Sequence, residues 1–295
     1  MSNPSGDIER VQRKYPVPAA KVDLGVPPER RRHSADDTGI SIIFPVHNES
    51  FIIEEMVRNY FAEFEGRISD FELIVAEDGS TDDTKCVLER VAKDLPIRLI
   101  LEDERKWYRQ GIIDAIARAT KPWIFLVDSD YQFAAIDFWR LEGYRDRYDI
   151  ILGRKSPRKD PRYRCFLAWW YNFLLRRLFG VPYHDMDTGF RLIRRSVAQE
   201  FIPQIRHMAT FTAELIVRAH CAGYKIIEVP VPHYPRRAGS TSIYYVSKLF
   251  GICFRQFMGV LRLRSELKRR GLLKPTSQPS APIPEDLAAE IRRRA

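Results

Sequence analysis

Between Ile40 and Val127 four short apolar runs alternate with segments of helical period, and that alternation leaves few folds open. ISIIFPV (40–46), FELIVA (71–76), IRLIL (97–101) and WIFLV (123–127) are apolar almost throughout, as strands buried on both faces are. After the first run, Ile53, Met56, Val57, Tyr60, Phe61 and Phe64 recur at helical spacing, and Gly66 follows as a stop. Ser80 or Thr81 is placed to cap a second helix reaching about Ala92, and residues 109–119 read as a third. DIILG (149–153) and KIIEV (225–229) are further strand candidates. Strands alternating with helices predict an α/β fold with a mostly parallel sheet flanked by helices. Ligands of such sheets bind beyond the carboxyl ends of the strands. The loops after the apolar runs are therefore where chemistry is expected.

The rest of the chain divides by composition. Residues 1–38 are rich in Pro, Arg and Asp without periodicity and read as a flexible tail that includes Arg30-Arg31-Arg32. Residues 39–240 read as the folded domain, and 241–273 as one long amphipathic helix. KPTSQPSAPIP (274–284) reads as a linker, with a short helix closing the chain by 295. Two segments are both basic and apolar. Cys165–Leu175 (CFLAWWYNFLL) is flanked by Arg162, Arg164, Arg176 and Arg177. In the last helix Lys248, Arg255 and Arg262 form one stripe beside Leu249, Ile252, Cys253, Phe257 and Val260. Such helices suit a bilayer interface. No uncharged run approaches the ~18–20 residues that cross a membrane.

Lys and Arg number 48 against 39 Asp and Glu, a net charge of +9 that favours an anionic partner. No helix-turn-helix or zinc-finger spacing accompanies that charge, so nucleic acid is not the expected partner. The four cysteines are scattered, and the first forty residues lack the apolar core of a signal peptide, which together predict a reducing, cytosolic compartment. No two glycines are separated by a single residue, so a dinucleotide fingerprint is excluded; the P-loop, GxSxG and HExxH patterns are absent as well.

Four loops carry polar residues. The first is Pro45-Val46-His47-Asn48-Glu49, where His47 can stack on a base and Glu49 can accept from a hydroxyl or N–H. The second is Glu77-Asp78-Gly79-Ser80, where Asp78 can accept from a nucleobase N–H. In the third, Asp128-Ser129-Asp130-Tyr131-Gln132, two carboxylates two residues apart repel each other unless a cation joins them. Their hard oxygens, with the Gln132 amide oxygen, suit Mg²⁺ or Mn²⁺. The fourth, His184-Asp185-Met186-Asp187-Thr188-Gly189-Phe190-Arg191, gathers carboxylates, a glycine turn and an arginine, and its local reading is a capped turn entering a helix.

In this order the four loops resemble the family 2 glycosyltransferases, most closely the dolichol-phosphate or polyprenyl-phosphate mannose and glucose synthases. The resemblance covers roughly residues 40–265. Pro45 to Glu49 looks like the family's P-x-[YH]-N-E strand end. Glu77 to Ser80 looks like its DDGS element, with Asp78 at the base-binding aspartate and Glu77 replacing the other. Asp128, Asp130 and Gln132 match D-x-D-x-Q, and Asp185, Thr188, Gly189, Phe190 and Arg191 match D-x-x-[ST]-G-F-[RK]. Gly153-Arg154 looks like the acceptor loop, and Arg236 or Arg237 with Gly239 like the late arginine-glycine pattern. Where many relatives carry a GKG segment on the donor side, this chain reads Tyr108-Arg109-Gln110-Gly111.

What the resemblance implies is a GT-A fold and inverting transfer from a nucleoside-diphospho sugar to a polyprenyl phosphate. Mg²⁺ or Mn²⁺ would sit on Asp128, Asp130 and Gln132. Pro45, His47, Glu49, Asp78, Arg109 and either Arg236 or Arg237 would contact the donor. Arg154, with Arg162 or Arg164, would hold the acceptor phosphate. If the acceptor is instead a hydroxyl of a glycan or lipid, Asp185 or Asp187 would serve as base. A nucleotide-sugar-binding relative without turnover is the other reading, against which the intact metal set stands. The location implied is peripheral, on the inner face of a membrane, and a homo-oligomer is compatible with it.

Overall fold

Seven strands form one sheet in the order β3-β2-β1-β4-β6-β5-β7. The structure, a computed structural model, describes residues 38–208, 210–236 and 246–273, with side chains of the last segment from 251 onward. The tail, Arg237 with Gly239, Lys248 and Leu249 as side chains, and 274–295 lie outside the described residues. The strands are β1 (Ile40–Val46), β2 (Phe71–Glu77), β3 (Ile97–Leu101), β4 (Trp123–Val127), β5 (Ile150–Lys155), β6 (Phe190–Arg194) and β7 (Ile226–Val231). The helices are α1 (Ile53–Phe64), α2 (Thr84–Asp94), α3 (Trp107–Arg118), α4 (Phe138–Glu142), α5 (Arg162–Phe179), α6 (Arg195–Phe201), α7 (Phe211–Cys221) and α8 (Val246–Arg269).

The strands are near-continuously apolar because helices cover both faces. One face packs Ile43, Ile74, Leu126 and Leu152 against α3, α5, α6, α7 and α8. The other packs Phe44, Val75, Phe125 and Ile151 against α1, α2 and α4. Alternate residues of each strand thus serve opposite cores, as the period of two requires.

Direction in the sheet decides what meets what. β1, β2, β3 and β4 are parallel neighbours, and β5 and β7 pair in parallel, but β6 runs antiparallel to both β4 and β5. The start of β6 therefore lies at the same edge as the ends of the other strands: Phe190 pairs with Val127. Strand order also reverses between β1 and β4, which opens the usual ligand crevice of such sheets.

The six strands expected from the apolar runs are present. β6 was not foreseen, because FRLIR carries two arginines in five residues, and the fourth loop enters this strand rather than a helix. α2 begins at Thr84, later than the Ser80 or Thr81 cap implied. Those hydroxyl residues serve the first loop instead: the Asn48 amide donates to Ser80 Oγ at 2.9 Å, and the Thr81 amide to Asn48 Oδ1 at 2.8 Å. The long C-terminal helix is only partly a surface element, for Val260, Leu263 and Leu267 are buried in the core.

Candidate active site

Asp128 follows β4 directly, and the turn before β6 is packed onto it. The Asp128 amide donates to the Gly189 carbonyl at 2.9 Å. That turn is held from three sides: Thr188 Oγ1 donates to the Gly153 carbonyl at 2.7 Å, the Met186 amide to Asn172 Oδ1 at 3.1 Å, and the Asp185 amide to Glu228 Oε1 at 2.7 Å. β5, α5 and β7 thus all converge on the five residues Asp185–Gly189.

The paired carboxylates are tethered differently. Tyr108 on α3 donates its hydroxyl to Asp128 Oδ1 at 2.7 Å. Arg236, after β7, donates to Asp130 Oδ2 at 2.8 Å, and the Gln132 amide donates to Asp130 Oδ1 at 3.2 Å. Gln132 is placed by its own side chain, whose Nε2 donates to the Tyr234 carbonyl at 3.3 Å. Burial, then the charge of Asp128, raises the Asp130 carboxyl above its ordinary range, with Arg236 opposing. Although Tyr108 is partly exposed, desolvation of its hydroxyl and then the Asp128 charge raise the phenol above its usual value, so it remains a donor. A hard cation fits this set, since it would relieve the repulsion of two partly desolvated carboxylates. Among the described residues no three His, Cys, Asp or Glu side chains converge on a metal geometry. A cation here would draw further oxygens from substrate, as Mg²⁺ commonly does.

On the β1 and β2 side, His47 donates Nδ1–H to the Asp78 carbonyl at 2.8 Å, and Asp78 Oδ1 accepts the Lys106 amide at 2.6 Å. Pro45 is buried within β1, paired with Ala76. Glu49 lies between the two halves of the site. Burial pushes its carboxyl up to about 7; Arg236 opposes, while Asp130 and Asp82 add to the rise. Arg109 departs from the expectation. Its guanidinium donates to the Ile205 carbonyl and so braces the α6–α7 connection.

The two candidate bases differ. Asp185 accepts the Lys155 amide at 3.3 Å and lies 3.5 Å from Arg158, so it ties down the basic loop after β5. Asp187 accepts from Thr212 Oγ1 at 2.8 Å. It is solvent-accessible yet set low among protein atoms, and this partial desolvation raises its carboxyl, against the Thr212 hydrogen bond and the Arg191 charge. Arg154 is half-buried and has no partner among the described residues. Arg158 and Arg164 instead pair with Asp160; Arg162 is exposed at the start of α5.

Sequence reasoning missed Thr212, and it placed Arg191 and Tyr108 within motif segments without giving either a role in the site. Arg191 is buried with Nε and Nη1 unpartnered and acts electrostatically on Asp187 and Tyr108. Its motif position was the one available signal; Thr212 lies on a helix that no periodicity announced.

A parallel sheet with one reversed strand, bearing paired carboxylates after the fourth strand, is the GT-A architecture of nucleotide-sugar transferases. Solved structures agree on the fold. Glucosyl-3-phosphoglycerate synthase from Mycobacterium tuberculosis, in complex with Mn²⁺, uridine diphosphate and phosphoglyceric acid, superposes with a TM-score of 0.61 at 16% identity, covering 77% of this chain and 78% of that one. The Glycosyl transferase family 2 model matches residues 41–202, more than half of the 295 residues, and the chain belongs to that family. Glycosyltransferase AglD of Haloferax volcanii is 30% identical over 244 residues, 78% of this chain but 38% of AglD. An undecaprenyl-phosphate 4-deoxy-4-formamido-L-arabinose transferase of Sodalis glossinidius is 26% identical over 218 residues, 73% of this chain and 65% of that protein. The chain thus spans less than two thirds of these curated relatives.

Proposed function

We propose that this chain is a metal-dependent, inverting glycosyltransferase that moves a sugar from a nucleoside-diphospho sugar to a polyprenyl phosphate at a membrane surface. The observation that carries the reading is the meeting, at one sheet edge, of Asp128 and Asp130 with the Asp185–Gly189 turn and the basic loop that begins at Arg154. A relative whose name specifies undecaprenyl phosphate supports the acceptor, and a fold neighbour crystallised with Mn²⁺ and uridine diphosphate supports the donor chemistry.

Asp128 and Asp130 would hold Mg²⁺ or Mn²⁺, with Gln132 beside them. Such a cation supplies Lewis-acid neutralisation of the departing diphosphate. Arg236, already within 2.8 Å of Asp130, is placed to take donor phosphate oxygens bidentately. A phosphate acceptor is anionic at neutral pH and needs cations rather than a base, and the unpaired guanidinium of Arg154 provides one. Asp185 then acts by holding the basic loop. The hydroxyl-acceptor reading rests on Asp187, whose raised affinity for protons suits a general base.

Membrane contact is assigned to α5 and to the stretch of α8 from Phe254 to Leu261. Tyr163, Phe166, Trp169, Trp170 and Phe173 stand exposed on α5, and Phe254, Phe257 and Leu261 on α8. The two helices adjoin, since Gln256 Nε2 donates to Thr210 Oγ1 at 2.7 Å and Tyr171 Oη and Thr210 Oγ1 share a 2.6 Å hydrogen bond. No helix among the described residues is long and apolar enough to cross a membrane. The seating proposed is peripheral, on the cytoplasmic face.

The test is a screen of UDP- and GDP-sugars against undecaprenyl and dolichyl phosphate, with released nucleoside diphosphate as readout. Release that depends on the lipid phosphate is expected. Release only with hydroxyl acceptors would move the assignment to the second reading, and no release with any pair would overturn both.

A further inference from the structure

A four-residue segment bridges the two ends of the donor site. Arg105 lies with Nε 3.9 Å from Asp78 Oδ2, and the Lys106 amide donates to Asp78 Oδ1. Two residues on, Tyr108 donates to Asp128 Oδ1. Trp107 therefore stands in the chain between residues tied to the carboxylate assigned to the nucleobase and a residue tied to a carboxylate assigned to the metal.

Its conformation is unusual on two counts. The indole is 66% exposed, although the residues on either side are bound to the protein. The backbone at Trp107 has φ 70°, a left-handed conformation rare for a bulky residue, which persists only where neighbours over-determine it. The neighbours do so here. Gly79, with φ 60°, lets the chain come so close that a Cβ there would stand 2.6 Å from both the Arg105 nitrogen and the Glu104 carbonyl carbon. The Arg105 guanidinium lies 4.5 Å from the centroid of the Trp107 ring. Among the described residues the other non-glycine positions with positive φ are Asn48 and Tyr131, in the loops after β1 and β4. All three positions thus lie in connections that follow parallel strands, β1, β3 and β4.

We propose that Trp107 is a nucleobase-contact residue: its indole stacks on the donor base while Asp78 accepts that base's ring N–H. The proposal rests on the nucleotide-sugar reading above. Arg105 covers part of the ring and steadies it; the uncovered face takes the base. A carboxylate acceptor selects bases with a ring N–H at the Watson–Crick edge, uracil or guanine, over cytosine and adenine. Stacking adds affinity for any base without adding selectivity. The two residues therefore divide the work, Trp107 setting affinity and Asp78 setting identity.

The experiment is calorimetric titration of UDP, GDP, CDP and pyrophosphate, each with Mg²⁺, into wild type, Trp107→Ala and Trp107→Phe. Trp107→Ala is expected to weaken UDP or GDP binding by about 10- to 100-fold, the range of a lost base–aromatic stack, and to leave pyrophosphate binding unchanged. Trp107→Phe should keep most of the affinity. It should also lose the tryptophan-fluorescence quenching that nucleotide causes in the wild type, which identifies the ring that is covered. The exposed ring makes no core contact, and unchanged pyrophosphate binding shows that the variant is folded. Wild-type affinity for UDP and GDP in Trp107→Ala overturns the inference while leaving glycosyl transfer intact. A wild type that binds no nucleoside diphosphate overturns the donor reading together with it.

Discussion

A methyl group on Gly189 would stand 1.8 Å from Asp128 Oδ2 and 2.2 Å from its carboxyl carbon. Backbone and side chain of these two residues are packed so closely that only glycine leaves the carboxylate where it is. Gly189→Ala should therefore displace Asp128 and lower kcat by at least ~10²-fold, the effect of losing one preorganised electrostatic group. Steady-state kinetics together with Mn²⁺ titration followed by electron paramagnetic resonance would check it. Metal affinity should fall alongside the rate. Wild-type rate in the alanine variant would show that the position of Asp128 is unimportant.

Removal of metal is the companion measurement. EDTA should abolish transfer, and Mg²⁺ or Mn²⁺ should restore it. Asp130→Asn should lose ~10²-fold or more in rate even at saturating metal, because the amide cannot replace the buried carboxylate beside Arg236. Full activity in chelator would remove the metal from the reaction.

The basic loop separates the two acceptor readings. With a lipid phosphate acceptor, Arg154→Ala should raise the acceptor KM roughly tenfold or more, the loss of one charge-assisted contact, and change the donor KM little. Asp185→Asn should act in the same direction, since Asp185 holds Lys155 and Arg158. Asp187→Asn should slow kcat only modestly. Collapse of kcat in Asp187→Asn with Arg154→Ala near wild type would identify a hydroxyl acceptor.

Trp169 and Trp170 are both about half exposed and stack with Phe173 on the outer face of α5. Their replacement by alanine should leave the fold intact and weaken sedimentation with anionic liposomes. Added salt should weaken binding of both proteins, as each interfacial Lys or Arg contributes ~1 kcal/mol on anionic lipid. Wild-type protein remaining in the supernatant with anionic liposomes at low salt would rule out this face as a membrane contact.

The attachment of α8 is expected to depend on pH through Glu266. Burial alone would raise the Glu266 carboxyl, but hydrogen bonds from Arg218 and His207 and the charges of Arg218 and Arg270 outweigh it and hold the group at about 2. Its pKa is thus lower in the folded than in the unfolded chain, so this contribution to stability is complete above about pH 4.5 and is lost between there and pH 2. Glu266→Gln should cost about 2–3 kcal/mol near neutral pH, the value of a charged hydrogen bond lost from a buried arginine that Glu214 still partners. Thermal melts from pH 7 to 2 should therefore fall less steeply below pH 4.5 in the variant. Parallel profiles would mean that Glu266 does not hold the helix.

The positions of six of the seven strands and the loops that bear the polar residues were legible in the amino-acid sequence, because a strand buried on both faces records its environment in its own side chains. The Asp128–Asp130 pair after the fourth run is information of this local kind. What only the tertiary structure decided is non-local. FRLIR carries no sign that it runs backwards, yet that reversal seats Gly189 on Asp128. Tyr108 and Arg109 are adjacent in sequence, but a helix turns one toward Asp128 and the other toward Ile205. Asp185 and Asp187, two apart, part in the same way, one to the basic loop and one to Thr212. The apolar stripe of α8 was equally visible, but whether Val260 faces lipid or core depended on the helices already packed against the sheet. Periodicity reports which residues avoid water; which partner they avoid it with is set by register and strand direction, quantities that belong to pairs of distant segments.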